Sequence, residues 1–273
     1  MKRIRRKFGL LIALGLLAAM LCIPGFLAWR QDRLDRDLIA AIKRNDTQAA
    51  ITLLNQGADA NARVESHGAV SVWRLLLNRL RGTSVAANAS TPLIILLDRS
   101  GTADARGLNS YLPENFPLAT ALLDHGAKID ARNAVGWNPL NLAILSGKNQ
   151  TVHLLLARGA SVKPFQIGTS RILSVPLIWA CSARQCSTAE ITDLLDHGAN
   201  INDQDSLGET PMFAAVKNFR PDVVRLLLAR RADLTHKDLH GRTVLMWVQH
   251  FRNAAKLREI ALLLEVASKS PEP

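Results

Sequence analysis

The nine residues "LLDHGAKID" at 122–130 return almost unchanged as "LLDHGANIN" at 194–202. A catalytic motif is normally written once, because one reaction needs one site. A structural unit that stacks on copies of itself is written several times. In both copies an apolar helical pattern runs into a glycine, the residue favoured where a helix ends in a left-handed conformation. The duplicated stretch therefore predicts a helix ending that the fold uses twice.

Further glycine–alanine pairs extend this pattern along the chain. The same ending occurs in "NQGADANAR" with Gly57 and in "ARGASVKPF" with Gly159, and a degenerate copy, "ARRADLTHK", has Arg231 in the glycine position. A spacing of 33 residues separates Gly126 from Gly159 and recurs between Gly198 and Arg231. A recurring period of this length is typical of a solenoid built from small helical units.

A second marker follows these glycines by about thirteen residues. It reads "NPLNLA" from Asn138, "VPLIWA" from Val175, "TPMFAA" from Thr210 and "TVLMWV" from Thr243, with "TPLIIL" from Thr91 displaced by an insertion. Thr210 is suited to cap the helix that Pro211 opens, because proline fits the first helical turn. The two markers together resemble the ankyrin repeat over about residues 37–267. The resemblance implies an all-α fold, a solenoid of about six helix-turn-helix repeats.

The repeat phase gives the boundaries of the units and one departure from the family pattern. We expect a solenoid over 37–269 with units 37–63, 64–132 with an insertion, 133–165, 166–204, 205–237 and 238–269, followed by a tail at 270–273. The family histidine of the T-P-L-H marker is replaced by Ile94, Asn141, Ile178, Phe213 and Met246. In ankyrin repeats that histidine helps to tie neighbouring units by hydrogen bonding. The stack is therefore expected to rely more on apolar contact.

The N-terminal segment differs in composition from everything that follows it. Residues 1–7 carry five basic residues and no acid, and residues 8–29 carry no charge. A helix of that length spans a hydrocarbon core of about 30 Å. We expect a basic cytoplasmic tail at 1–7, a transmembrane signal-anchor helix at 8–29 and a linker at 30–36. The Lys/Arg bias predicts a repeat domain on the periplasmic side of the inner membrane. The alternative is a cleaved signal peptide and a secreted protein, although the small residues of a cleavage site are poorly placed.

Composition and motifs argue against catalysis and against nucleic-acid recognition. The net charge is +11, but five of the 34 Lys and Arg residues lie in the first seven positions. Elsewhere the charges alternate in sign, aromatic residues make up 5% of the chain, and no nucleic-acid motif is present. The chain has no nucleophile elbow, phosphate-binding loop or H-E-x-x-H motif, so we predict no enzyme activity, cofactor, metal or small-molecule substrate.

Two cysteines in the fourth unit allow two interpretations. Cys181 and Cys186 lie close together in "WACSARQCSTAE". In an oxidising compartment they would be able to form a small disulfide. The alternative is a buried apolar Cys181 and an unrelated loop thiol at Cys186.

The ankyrin resemblance implies a protein partner, bound by the hairpin tips and by the concave face that the first helices line. The tips are "RNAVGWNP", "DQDSLGETP" and "HKDLHGRTV". The enlarged second unit is a further candidate, because insertions in repeat proteins cluster on one face. The predicted partner-binding residues are Arg132, Trp137, Glu209, Lys237 and Arg242 at the tips, and Trp73 and Arg79 in the insertion. For Trp137 the alternative is packing against the adjacent tip.

These features lead to one main hypothesis and several alternatives. The main hypothesis is a non-catalytic protein–protein interaction module that is held at the membrane by residues 8–29. Two specialised alternatives are an immunity or inhibitor protein that neutralises a toxin effector, and a scaffold for an envelope enzyme. A third is binding of anionic lipid or nucleic acid through Arg and Lys side chains, which a steep loss of binding with salt would reveal.

Overall fold

The computed structural model describes residues 26–63, 90–98, 114–133, 135–167, 173–250 and 257–269. The chain divides into two compact units. The first comprises residues up to 96 together with 117–127, and the second comprises 97–116 and everything from 128 onward.

The described residues of the first unit contain two helices and most of two more. They are α1 over residues 26–43, α2 Thr47–Asn55, α3 Pro92–Leu97 and α4 Phe116–Asp124, of which Leu97 and Phe116 belong to the second unit. Leu38 and Ile42 of α1 are buried. Asp46 opens α2, because its side chain accepts a hydrogen bond from the Ala49 N–H at 3.0 Å.

The expected linker at 30–36 is wrong, because these residues lie inside α1. Ion pairs one helical turn apart, between Arg36 and Asp32 and between Arg33 and Asp37, accompany the helical conformation. Within the described residues, no helix combines the length and apolar character needed to cross a bilayer. Of the predicted span at 8–29, residues 8–25 lie outside the described part of the chain.

The second unit consists of helix pairs stacked side by side, with one short β-hairpin. Its helices are α5 Pro139–Ser146, α6 Asn149–Ala157, α7 Pro176–Ser182, α8 Thr188–Asp196, α9 Pro211–Lys217, α10 Pro221–Ala229, α11 Val244–His250 and α12 Arg258–Lys269. The antiparallel strands β1 Phe165–Gln166 and β2 Leu173–Ser174 lie between α6 and α7. The first helices pack in the order α5, α7, α9, α11, and the second helices in the order α6, α8, α10, α12.

The helix starts follow the sequence markers, with one correction. Proline opens α5, α7 and α9. Asn138 caps α5, since its side chain accepts from the Asn141 N–H at 2.9 Å. The expected hydroxyl cap at Thr210 is wrong: Thr210 precedes α9, but its side chain makes no capping bond and its Oγ1 is buried without a hydrogen-bond partner.

The glycine–alanine pairs end helices as the repeated stretch predicts. Gly126 and Gly198 have positive φ, and the N–H of the alanine that follows each glycine donates to a carbonyl five residues back, 2.9 Å and 3.0 Å away. Arg231 adopts the same left-handed conformation with φ 59°. A residue other than glycine is strained there, because its Cβ crowds the backbone.

A buried arginine, Arg220, links two successive repeats of the second unit. Arg220, which precedes α10, is 7% exposed. Its Nη1 donates to the carbonyl oxygens of Ala180 at 3.3 Å and Ala183 at 2.7 Å, at the end of α7, and its Nη2 donates to Asp222 at 2.9 Å. The guanidinium thereby satisfies carbonyls that the end of a helix leaves without partners.

Candidate partner-binding fingers

Three loops of the second unit share one backbone design, and we call them finger A (133–137), finger C (205–209) and finger D (238–242). In each, the first residue donates its N–H to the carbonyl of the last at 3.0 Å. The side-chain oxygen of the first residue also accepts backbone N–H groups from within the loop. These first residues are Asn133, Asp205 and Asp238. The repeated bonding makes each finger a defined turn rather than an open loop.

The hairpin of β1 and β2, which we call finger B, connects finger A to finger C. On one side, the guanidinium of Arg132 lies 4.4 Å from the centroid of the Phe165 ring, and its Nη1 donates to the Gln166 carbonyl at 3.4 Å. On the other side, the Leu173 N–H donates to Ser206 Oγ at 2.5 Å.

Fingers C and D are joined through their backbones. The Leu239 N–H donates to the Leu207 carbonyl at 3.0 Å. Gly208 lies against this contact, since a Cβ added there would be 3.2 Å from the Leu239 nitrogen. Together with the bonds to finger B, this contact makes the four fingers one continuous row.

The predicted contact residue Trp137 packs inside the repeat stack. Its ring meets that of Trp179 edge-on, with centroids 5.3 Å apart. Trp179 lies on α7, and its Nε1 donates to Ser174 Oγ at 3.1 Å. Trp137 therefore packs against the first helix of the next repeat, and part of its surface stays exposed.

Glu209 and Arg242 also have partners within their own repeats. Glu209 is buried, and its two carboxylate oxygens accept from Lys217 Nζ at 2.7 and 2.9 Å. Arg242 donates to Asp238 Oδ2 from Nε at 3.0 Å and from Nη2 at 2.7 Å. Burial opposes ionisation of Asp238, but hydrogen bonds from Arg242 and His240 outweigh it and hold its pKa below the usual range. These groups stabilise the fingers.

The remaining predicted site residues divide into two groups. Arg132 and Lys237 are exposed beside fingers A and D. Trp73 and Arg79 lie outside the described residues, together with most of the insertion.

Sequence reasoning missed the apolar tips. Val135, Leu207 and Leu239 are each more than half exposed, on fingers A, C and D, and so is Met246 on α11. The signal was present: each of these finger residues is an apolar side chain within two positions of the tip glycine, and in fingers C and D the rest of the loop is largely polar. Large side chains that leave apolar area in water are typical of binding surfaces when they are grouped.

Asn141 partly replaces the missing family histidine. It is buried on α5, and its Nδ2 donates to Ser174 Oγ of the next repeat at 2.6 Å. The expectation that the stack relies more on apolar contact is therefore wrong at this junction. Its Oδ1 is buried without a partner.

Charged side chains link the second helices across three successive junctions. His153 of α6 contacts Asp193 of α8, Asp196 of α8 accepts from Arg230 at the end of α10 at 2.9 Å, and Arg225 of α10 pairs with Glu259 of α12. Such exposed pairs contribute little individually, about 0–1 kcal/mol. Among the residues described, no group of three or more His, Cys, Asp or Glu side chains is placed to hold a metal ion.

The two cysteines of the fourth unit are buried free thiols in the structure. Burial raises the pKa of Cys186 to about 12 and raises that of Cys181 as well. A high pKa disfavours the reactive thiolate, so these side chains act here as small apolar groups.

Comparison with known proteins agrees with this architecture. Residues 177–265 match the family model for ankyrin repeats in three copies. This part of the chain carries ankyrin repeats. Such repeats bind other proteins, and they are typically interaction modules rather than enzymes.

Sequence relatives share the repeats over part of their length. The chain is 32% identical over 157 residues to the mouse B-cell lymphoma 3 protein homolog, covering 56% of this chain and 34% of that protein. It is 32% identical over 142 residues to human Rabankyrin-5, covering 49% of this chain and 12% of that protein. The chain thus spans about a third or less of these relatives.

Solved structures share the fold at low sequence identity. An ankyrin repeat domain from Acinetobacter baumannii AYE has a TM-score of 0.60 at 23% identity, covering 85% of this chain and 97% of that one. A chain from the complex of a predatory endopeptidase from Bdellovibrio bacteriovorus with an immunity protein has a TM-score of 0.60 at 20% identity, covering 86% and 98%. These likenesses concern the ankyrin fold.

Proposed function

We propose that this chain is a non-catalytic, membrane-anchored module that binds a protein partner through fingers A to D and the adjoining first helices. The observation that carries the proposal is the row of hydrogen-bonded fingers with apolar tips in water. Leu207 and Leu239 are neighbours in this row, because their backbones are hydrogen-bonded to each other. Together they offer a partner one apolar patch.

The fingers suit recognition because they are ordered before a partner arrives. Fingers A, C and D are each closed by their own backbone and side-chain bonds, so little conformational entropy of these loops remains to be lost on binding. Exposed charges at Arg132 and Lys237 flank the apolar tips. An apolar centre with a polar rim is the usual composition of a protein interface.

The membrane arm of the proposal rests on the sequence of residues 1–29. The uncharged run at 8–29 has the length of a bilayer-spanning helix, and the basic residues before it favour a cytoplasmic N-terminus. The fingers would then work on the periplasmic side of an inner membrane. The proposed membrane anchoring is tested by flotation of the full chain with vesicles, and we expect the association to resist alkaline carbonate.

An inhibitor form of the proposal has one supporting observation. One solved structure of similar fold belongs to a complex of an endopeptidase with an immunity protein. The corresponding role here would be to cover the active site of a toxin or envelope peptidase with the fingers. If the captured partner is a hydrolase, the purified chain should lower its activity at a one-to-one ratio, whereas a scaffold should leave activity intact.

The experiment compares two double variants of matched chemistry. Leu207→Ser with Leu239→Ser removes the finger patch, and Leu262→Ser with Val266→Ser removes exposed apolar area from α12. Immobilised wild-type and variant chains are incubated with solubilised envelope proteins, and captured proteins are quantified by mass spectrometry. A partner retained by wild type and the α12 variant, but lost by the finger variant at unchanged Tm, supports the proposal. Equal capture by all three chains contradicts it.

The salt dependence of binding distinguishes protein recognition from the remaining alternative, which is binding of anionic lipid or nucleic acid. Binding through Lys and Arg to nucleic acid or anionic lipid releases bound counterions, and this release becomes less favourable as the salt concentration rises, so the binding weakens steeply. Contact through Leu207 and Leu239 should change little between low and physiological salt. A capture that disappears over this range would favour the charge-driven alternative.

A further inference from the structure

The first described turn of α1 carries three large apolar side chains in water. Phe26 is 61% exposed, Leu27 53% and Trp29 39%. The Phe26 and Trp29 rings lie 6.0 Å apart, and the Arg33 guanidinium is 5.7 Å from the centroid of the Trp29 ring. We call Phe26, Leu27 and Trp29 the collar. Nothing in the ankyrin repeats explains a cluster of aromatic rings at this place.

We propose that the collar lies in the headgroup region of a lipid bilayer and holds the first repeat against the membrane surface. This inference rests on the proposed membrane anchoring. The collar comes directly after the uncharged residues 8–25, so it lies where an apolar segment would leave the hydrocarbon. Tryptophan is enriched at that depth because its ring is amphipathic.

The basic side chains next to the collar also favour a lipid bilayer as its partner. Arg30 and Arg33 are exposed on the turns next to the collar. Basic side chains immediately outside a membrane span are attracted by anionic lipid headgroups. An apolar ring cluster followed at once by guanidinium groups matches the order of layers met on leaving a bilayer.

The helix then transmits this position to the first repeat. α1 runs unbroken from residue 26 to residue 43, and its second half is part of the repeat, with Leu38 fully buried. At 1.5 Å per residue, the rise from Trp29 to Lys43 is about 21 Å. The chain has no flexible spacer between the collar and the first repeat in the described residues.

Hydrogen bonds fix α1 to the repeat close to the collar. Gln31 Nε2 donates to the Gly57 carbonyl at 3.0 Å and to Asp35 Oδ1 at 2.8 Å. The same Asp35 oxygen accepts from the Asp59 N–H at 2.8 Å. The loop after α2 is thus tied to α1 only two residues after Trp29. The consequence is that the first repeat is held at a fixed height relative to the collar.

Depth of the collar is measured first, on the full chain reconstituted in phosphatidylcholine–phosphatidylglycerol vesicles. The Trp29 signal is obtained by subtracting the emission of the Trp29→Phe variant. We expect this signal to be quenched by lipids brominated near the headgroup and protected from aqueous iodide. Quenching by iodide and not by brominated lipid overturns the inference.

The distance between the first repeat and the membrane surface is measured next. A dye is placed at exposed Gln48 by Gln48→Cys in a Cys22→Ala chain, since Cys181 and Cys186 are buried. We expect efficient energy transfer to headgroup-labelled lipid, reduced when a Gly-Ser spacer is inserted after Trp29. Low transfer without the spacer overturns the inference. In both experiments, flotation of the chain with vesicles tests the membrane anchor separately. If the chain floats but the collar result is negative, only the collar inference is wrong. If the chain does not float, the proposed membrane anchoring is wrong as well.

Discussion

The backbone N–H of Leu239 donates to the carbonyl oxygen of Leu207 at 3.0 Å, which joins two neighbouring fingers at their tips. Gly208 has φ +71° beside this contact, and a Cβ there would lie 3.2 Å from the Leu239 nitrogen. We predict that Gly208→Ala lowers the free energy of unfolding by more than the 1–2 kcal/mol or so that a left-handed alanine costs. Chemical denaturation measures the change.

Gly241→Ala is the matched control for this prediction. Gly241 also has φ +71°, but nothing lies within 4 Å of an added Cβ. It should therefore show the conformational cost alone, and the excess loss in Gly208→Ala should report on the finger contact. Equal losses in both variants would mean that the contact contributes nothing.

Arg231 occupies the helix-ending position that glycine holds in other repeats. Its φ of 59° strains a residue with a Cβ. Arg231→Gly should raise the free energy of unfolding by about 1 kcal/mol, because glycine adopts this conformation freely. Arg158→Gly is the control, since Arg158 has φ −92° and glycine there relieves no left-handed strain. Stabilisation by both changes, or by neither, would contradict the strain at Arg231.

A buried hydroxyl without a partner predicts a stabilising substitution. Thr210 Oγ1 is buried and makes no hydrogen bond. Thr210→Val keeps the branched shape and removes the desolvated hydroxyl, so we expect unchanged or higher stability, by up to about 1 kcal/mol. Ser174→Ala should do the opposite and cost about 1–3 kcal/mol, because Asn141 and Trp179 both donate to Ser174 Oγ. A loss in Thr210→Val comparable to that in Ser174→Ala would show that the Thr210 hydroxyl is bonded in solution.

Ser187 and Glu190 form a capping box at the start of α8, and this capping box should make part of the stability pH-dependent. Burial of Glu190 opposes its ionisation, but hydrogen bonds from Ser187 and the nearby charge of His153 outweigh this, so its pKa is lowered. A lowered pKa stabilises the fold above the unfolded value of about 4.3, and the benefit is lost as pH falls through the folded value. The Tm difference between wild type and Glu190→Gln should therefore be largest near neutral pH and shrink as the pH falls below about 4.3. A difference that stays constant with pH would assign the effect to the shape of the cap alone.

The thiols of Cys181 and Cys186 should be inert in the folded protein. Burial, which raises the pKa of Cys186 to about 12, both shields the sulfur and suppresses its thiolate. Maleimide at about pH 7.5 should leave both unmodified until the chain is unfolded, as read by intact mass. Protein taken from an oxidising compartment and unfolded without reductant should then react at all 3 cysteines. Reaction at Cys22 alone would establish the disulfide that the sequence left open.

Helix endings and finger positions were predictable because local residues determine them. Gly126 and Gly198 end helices through their own backbone freedom, and a repeated spacing shows where the next ending falls. The helix over 30–36 was also within reach, since Arg33 and Asp37 have the spacing of a helical ion pair.

The environment of each finger side chain was not predictable from the sequence. Trp137 and Arg242 occupy equivalent loop positions, yet one packs on Trp179 of the next repeat and the other pairs with Asp238 of its own loop. These partners depend on how repeats rotate against each other and on rotamers within the turn. The exposed tips followed from the same packing: side chains that find no partner in the stack remain in water.

Arg220 has a consequence for the order in which the chain can fold. The carbonyls of Ala180 and Ala183 obtain their guanidinium partner from a residue 40 and 37 positions later. During synthesis from the N-terminus, the end of the first helix of the fourth repeat therefore lacks these hydrogen bonds until the fifth repeat has emerged. A ribosome paused between these residues would present an unfinished edge, which is a natural site for a chaperone to engage.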